Sequence, residues 1–211
     1  WDVTSQSSIC EKMNYGTSQR CTKSLGGNPV LRIPNVIGGR IDVEDLKYTV
    51  LSNKEKTKIL LKEGDVLFVR TNGNRNYTGR CAVYSGSPPN ALFASYLIRV
   101  RLQKDTVAPD FAKEFFLSAG RKQISEKAHE AADGKYNIDT GILKGLLLPR
   151  PSSEEQKAIL GVAQALEHRI LVARKQLREM KHAFSSMLHL LMTGQVRVSS
   201  ETREACDAKK K

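Results

Sequence analysis

The densest collection of chemically useful side chains in this 211-residue chain is the run Arg70-Thr71-Asn72-Gly73-Asn74-Arg75-Asn76-Tyr77-Thr78-Gly79-Arg80. A guanidinium can give paired hydrogen bonds to the major-groove edge of guanine, and a carboxamide can do the same for adenine. Thr71, Thr78 and the N–H groups at the two glycines suit phosphate oxygens. The run is therefore equipped for base readout. Asn-Gly is also the strongest short hairpin signal, so a solvated hairpin tip accounts for the same residues. The two readings are compatible.

Hydrolytic and transfer chemistry finds weaker support. Pro109-Asp110 followed by Asp133-Gly134-Lys135 supplies the carboxylates and lysine of a metal-dependent nuclease. Such a nuclease needs both pieces on adjoining strands, whereas the sequence puts Asp110 at a helix start and Asp133 in a turn. Ser87-Pro88-Pro89-Asn90 approaches the Pro-Pro-aromatic motif that holds an extruded base, but Asn90 has no ring and no glycine-rich cofactor loop follows a first strand. The four cysteines, Cys10, Cys21, Cys81 and Cys206, form no CxxC pair, and His129, His168, His182 and His189 have no ligand spacing. Neither a zinc site nor a disulfide framework is favoured. The expectation is a protein without a catalytic site, metal or cofactor of its own.

The formal charge of +12 points to a polyanionic partner, of which nucleic acid is the commonest. No run of 18 apolar residues exists and residues 1 to 30 lack the form of a signal peptide, so a cytoplasmic, membrane-free location is expected. The chain opens on Trp1, which suggests a processed or truncated protein.

These side chains must be held by a domain of about 150 residues. Residues 1 to 30 are polar and turn-rich, with Tyr15-Gly16-Thr17-Ser18 as the notable piece. Val30 to Pro34 with Val36-Ile37 read as a strand ending at Gly38-Gly39. Ser52 is the expected N-cap of a short helix to Lys58. Val66 to Val69 is a continuous apolar run suited to a buried strand. Cys81 to Tyr84 and Tyr96 to Leu102 read as further strands, the second with one wet, basic face at Arg99 and Arg101. Asp110 to Lys127 reads as one amphipathic helix with Phe111, Phe115, Leu117 or Ala119, and Ile124 inward. A polar turn at Asp133 to Asn137 and an apolar run to Leu148 follow.

The last element is the most regular. Ile159, Ala163, Leu166, Ile170, Ala173, Leu177, Met180, Phe184, Met187 and Leu191 recur at alternating steps of four and three, an a/d seam over more than four heptads. Ser152 or Ser153 can cap its start, and Thr193-Gly194 marks its end. Charged flanks such as Lys157, Glu167, Arg169, Arg174 and Lys175 leave one apolar stripe, so a single helical partner is expected, from a second copy or another protein. A core helix wrapping its own domain is the plainer alternative.

The order of Tyr-Gly-Thr-Ser (15 to 18), Val-Leu-Arg-Ile-Pro-Asn-Val with Gly-Gly-Arg-Ile-Asp (30 to 42), Gly-Asp-Val-Leu (64 to 67), Tyr-Asn-Ile-Asp (136 to 139), Leu-Pro-Arg-Pro (148 to 151), Glu-Gln-Lys-Ala-Ile (155 to 159) and Leu-Leu-Met-Thr-Gly-Gln-Val-Arg-Val (190 to 198) resembles the specificity subunit of type I restriction-modification systems. The resemblance covers nearly the whole chain, and its closing pair is fairly specific. It implies an α+β layout: a mixed target recognition domain (1–150), a long coiled-coil spacer and dimerisation helix (151–194), and a C-terminal tail (195–211) ending in Lys209-Lys210-Lys211. It further implies double-stranded DNA as ligand, and separate methyltransferase and restriction subunits as partners that do the chemistry. Family members usually carry two such units; this chain has one, so a half-subunit that forms a homodimer, or pairs with a second half, is expected.

On the family pattern Arg70, Asn72, Asn74 and Arg80 are expected to read bases. Thr71 is a candidate phosphate ligand, and Arg75, Tyr77, Thr17, Ser18, Lys135 and Tyr136 are expected on the backbone. A coiled-coil adaptor that binds nucleic acid without sequence preference explains the helix and the charge equally well, but not the arginine-asparagine run.

Overall fold

The computed structural model describes residues 1–24 and 26–197, so the expected C-terminal tail from residue 198 onward, with Cys206 and the closing lysines, lies outside the described residues. In chain order the elements are β1 (Asp2–Ser5), a 3-10 turn (Gln6–Ile9), β2 (Cys10–Tyr15), β3 (Asn28–Leu31), α1 (Ile33–Val36), β4 (Lys47–Thr49), α2 (Asn53–Ile59), β5 (Val66–Val69), β6 (Thr71–Asn72), β7 (Cys81–Val83), β8 (Leu92–Phe93) and β9 (Leu97–Leu102). They continue with α3 (Pro109–Leu117), α4 (Arg121–Lys127), β10 (His129–Glu130), β11 (Tyr136–Asn137), α5 (Thr140–Lys144), β12 (Leu147–Arg150) and α6 (Ser153–Met192). Residues 1–160 form one compact unit, and the described residues from 161 to 197 belong to a second.

The expected apolar strand is β5, and all four of its residues are buried. It lies inside an antiparallel sheet of order β2-β9-β5-β7. Successive side chains of a strand point to opposite faces, so a strand covered on both sides must be apolar throughout. Val66 and Phe68 join a cluster with Phe111, Phe116 and Ile124. Leu67 and Val69 join a second cluster with Val30, Leu31, Leu92 and Phe93. That second layer is a sheet of order β4-β3-β8, in which β3 and β8 run parallel.

Four sequence expectations need correction. The strand from Val30 stops at Leu31, and Ile33–Val36 is a helical turn with Pro34 near its start and Asn35 Oδ1 accepting the Arg32 N–H at 2.9 Å. The helix of 110–127 is two helices, broken at Ser118 to Gly120; Phe116, fully buried, replaces Phe115 as the central inward ring. Residues 1 to 30 contain three strands that composition concealed, β1, β2 and most of β3, because their partners β12, β9 and β4 are remote in sequence.

The fourth correction concerns Arg99. The period-two alternation of β9 is present, but its polar face is not wet. Arg99 is 1% exposed and donates to Asn14 Oδ1 at 2.6 and 3.0 Å, to Leu60 O at 2.8 Å and to Lys58 O at 3.1 Å. Asp65, fully buried, lies 3.7 Å from Arg99 and takes two 2.7 Å bonds from Arg101. Burial pulls the Arg99 pKa down, whereas the paired bonds to Asp65 raise that of Arg101. A buried charge survives only when paired and hydrogen-bonded, and here carbonyls and one carboxylate do both.

The expected helix between Ser52 and Lys58 is α2, with Ser52 and Glu55 capping each other reciprocally. The same device starts α6: Glu155 N–H donates to Ser152 Oγ at 3.3 Å and Ser152 N–H to Glu155 Oε2 at 2.8 Å. Gln156, 3% exposed, accepts from Ala108 N–H at 2.7 Å and donates to Pro151 O at 2.9 Å, fixing the first turn of α6 to the loop before α3. Forty residues at about 1.5 Å each give α6 a length of about 60 Å. Within 161–197 the seam residues Leu166, Ile170, Leu177, Met180, Phe184 and Met187 are between 50% and 69% exposed. The apolar surface exceeds the single stripe read from the sequence: Leu171 and Val172, off the seam, are 55% and 41% exposed, so one whole turn at 170–173 is apolar.

Candidate nucleic-acid interface

Arg70 follows β5 directly, and its backbone is clamped on both sides. Its N–H donates to Tyr96 O at 2.9 Å, and its carbonyl accepts from Ile138 N–H at 2.9 Å. The next two residues, Thr71 and Asn72, pair antiparallel with Asn137 and Tyr136 in a sheet of order β10-β11-β6. The run is therefore not a simple hairpin between β5 and β7. It leaves β5 to build a separate small sheet, and returns where Gly79 N–H donates to Val69 O and Val69 N–H to Arg80 O, both at 2.7 Å. Gly79 has φ of +75°, and a Cβ there would stand 2.2 Å from Ile124, so only glycine allows this return.

Side chains shape the rest of the loop. Asn72 Oδ1 accepts Asn74 N–H and Asn74 Oδ1 accepts Asn76 N–H, each at 2.9 Å, in two successive Asx turns. These bonds occupy one lone pair on each carbonyl and leave both amide nitrogens as donors. Thr78, fully buried, donates to Tyr136 O at 3.1 Å. Arg121 donates to Thr78 O at 2.6 Å and Arg75 O at 3.0 Å from beneath, and burial pulls its pKa down.

The expected residues fall into two groups. Arg70, Thr71, Asn72 and Lys135 line one cleft of about 510 Å³, together with Asn137, Asp133 and Tyr96. Thr17 and Ser18 line a second, of about 400 Å³, with Arg20, Arg32, Lys47 and again Tyr96. The remaining residues lie outside both linings. Arg75 donates to Ser125 O at 2.8 Å and sits 5.6 Å from the Tyr136 ring; Arg80 donates to Asn76 O at 3.3 Å and sits 5.3 Å from the Tyr77 ring. Asn74 and Tyr77 are exposed on the loop.

Tyr15 and Gly16 bring the N-terminal segment in. The Arg70 guanidinium lies over the Tyr15 ring, whose hydroxyl accepts Thr140 N–H at 3.2 Å. A Cβ on Gly16 would stand 2.0 Å from Phe93 O, so glycine is what lets Thr17 reach β8's extension at Ala94. Lys135 and Asp133 pair at 2.6 Å across their turn; that bond holds the Asp133 carboxyl below its ordinary range and raises the Lys135 pKa.

Residues that sequence reasoning passed over are Tyr96, 58% exposed and common to both clefts, and the cations Arg20, Arg32 and Lys47. No local signal marks Tyr96. Arg20 follows Tyr-Gly-Thr-Ser closely enough to have been grouped with it.

For metal chemistry, Asp110 lies in the first turn of α3, 3.7 Å from Lys113, while Asp133 and Lys135 are paired with each other. Among the described residues no three His, Cys, Asp or Glu side chains cluster in a way that could hold a metal, and no helix is long and apolar enough to cross a membrane.

No family model matches the chain. It is 30% identical over 154 residues to the type I restriction enzyme EcoKI specificity subunit of Escherichia coli strain K12, covering 72% of this chain and 33% of that one. It is 25% identical over 178 residues to the type I restriction enzyme MjaVIII specificity subunit of Methanocaldococcus jannaschii, covering 82% and 41%. Among solved structures, the HsdS subunit from Thermoanaerobacter tengcongensis matches with a TM-score of 0.63 at 17% identity, covering 89% of this chain and 47% of that one. The S subunit of a type I restriction-modification system from M. genitalium matches with a TM-score of 0.56 at 16% identity, covering 92% and 46%. The chain thus spans between a third and a half of the length of these proteins.

Proposed function

The chain belongs to the family of type I restriction enzyme specificity subunits, and from that premise we propose that it reads one half of a two-part DNA site and directs separate methyltransferase and restriction subunits to it. The observation that carries this is the convergence on one cleft of Arg70, Thr71 and Asn72 with Asn137 and Lys135. Guanidinium and carboxamide groups are the side chains that discriminate guanine and adenine, and here Asn72 and Asn137 sit on short paired strands while Arg70 is clamped by backbone bonds between β5 and β6 rather than carried on a free loop tip. Arg70, Asn72, Asn74 and Arg80 are assigned to bases; Thr71, Arg75, Tyr77, Thr17, Ser18, Lys135 and Tyr136 are assigned to backbone and positioning.

The chain acts in this reading without a catalytic site, and in the cytoplasm with the DNA. The exposed seam of α6 supports pairing with a second copy or a second half-subunit. Twofold pairing would make the DNA target a split palindrome, because protein symmetry is mirrored in the site.

Selection from a random duplex library with the chain and its methyltransferase subunit tests the reading. A recurring short motif supports it. A pool that stays random after selection, with DNA still bound, indicates a sequence-indifferent adaptor instead.

A further inference from the structure

We propose that the cleft lined by Arg20, Arg32 and Lys47 seats the sugar-phosphate backbone of the DNA strand whose base edges face the neighbouring cleft at Arg70 and Asn72. The proposal rests on the DNA-reading role above and adds to it a place for phosphate made of residues that no sequence motif singles out.

The two clefts differ in chemistry. The one at Arg70 mixes donors and acceptors: a guanidinium, an ammonium, two carboxamides and the Asp133 carboxylate. That mixture suits base edges, which present both. In the second cleft every charged lining residue is a cation. Among the described residues no carboxylate comes within 4.0 Å of Arg20 or Lys47. Arg32 is already ion-paired, its Nη2 donating to Asp45 O at 2.6 Å and to Asp45 Oδ2 at 2.9 Å while its buried Nε has no acceptor, so Arg20 and Lys47 carry the uncompensated charge of this cleft. Arg32 and Lys47 line this cleft beside Cys21, whose thiol burial pushes up and these two cations pull down. Thr17 and Ser18 add hydroxyls, which serve phosphate oxygens well.

Tyr96 connects the two. It lines both clefts, and its carbonyl holds the N–H of Arg70. A strand laid across Tyr96 therefore meets positive charge on one side and base-reading groups on the other. Phosphate contacts fix register and orientation but carry no sequence information, so this cleft would set affinity while its neighbour sets preference.

The test is binding of the full chain to a random-sequence duplex and to a selected duplex, followed by fluorescence anisotropy over about 50–200 mM salt. Each phosphate contact contributes about −0.9 to the slope of log K against log salt. Arg20→Gln/Lys47→Gln is expected to flatten that slope by about 1–2, and to weaken binding to all duplexes by the same factor. The equal-charge variant Lys104→Gln/Lys157→Gln, in a separate cleft beside the start of α6, is expected to leave the slope nearly unchanged. Arg20 is exposed, so Arg20→Gln alone, expected to flatten the slope by about 1, carries the test if the double variant melts early. An unchanged slope, an equal change in the control, or a loss confined to preferred sequences overturns the phosphate seat and leaves the DNA-reading role standing. Failure of the unsubstituted chain to bind any duplex at low salt brings down both.

Discussion

The guanidinium of Arg70 lies 4.9 Å from the centre of the Tyr15 ring, joining the N-terminal segment to the loop after β5. An exposed cation–π contact is worth about 0.5–1 kcal/mol. If Tyr15 orients Arg70 for readout, Tyr15→Ala should lower affinity for a selected duplex by about two- to five-fold. Tyr15→Phe, which keeps the ring and loses only the bond to Thr140, should lower it less. Equal affinities for Tyr15→Ala and the unsubstituted chain would remove Tyr15 from the site.

Asn74 and Lys135 should separate preference from affinity. Asn74→Ala is expected to relax sequence preference, by about 1–3 kcal/mol of discrimination at one base pair, whereas Lys135→Ala weakens binding to all DNA alike. Binding curves on selected and random duplexes check this, and a swap of the two effects would refute the assignment.

Asp133 offers the converse experiment. Its carboxylate neutralises Lys135 at 2.6 Å, so Asp133→Asn should free that ammonium for phosphate. Random-duplex binding should tighten, and its salt slope should steepen by about 1. Unaltered binding would mean that Lys135 does not meet DNA.

The Asp65, Arg99 and Arg101 cluster should matter to stability rather than to recognition. Asp65→Ala leaves two buried or half-buried guanidinium groups without their carboxylate, a loss of about 3–5 kcal/mol. Urea unfolding should show a lower midpoint at unchanged slope. A stability loss under about 1 kcal/mol would mean that Asn14 and the backbone carbonyls satisfy Arg99 without the carboxylate.

Glu155 gives a pH dependence. Bonds from the Trp1 indole and from Ser152 hold its folded pKa below the ordinary 4.5. A depressed carboxyl stabilises the fold above its unfolded value, and that contribution is lost as pH falls through the folded one. The difference in melting temperature between the chain and Glu155→Gln should therefore be present at neutral pH and close below the ordinary 4.5. A gap that persists at lower pH would place its origin elsewhere.

For α6, light scattering should report a dimer that Leu177→Glu turns to monomer. A monomeric unsubstituted chain would leave the seam for a different second half, and would withdraw the split-palindrome target.

Local rules were enough wherever the determining residues are neighbours. The capping pairs Ser52 with Glu55 and Ser152 with Glu155, the apolar run of β5 and the heptads of α6 each involve residues a few positions apart, so sequence alone specifies them. The arginine-asparagine run was likewise legible as chemistry. What the sequence could not decide is which of its side chains face outward together, because that depends on partners far along the chain. The pairing of Thr71 and Asn72 with Asn137 and Tyr136 gathers Arg70 and Lys135 on one cleft, while Ser125 and Asn76 draw Arg75 and Arg80 off it. The same reason governs Arg99. Its alternation predicted a polar face correctly, but whether water or protein covers that face is set by Leu60, Asn14 and Asp65, brought there only by the tertiary fold.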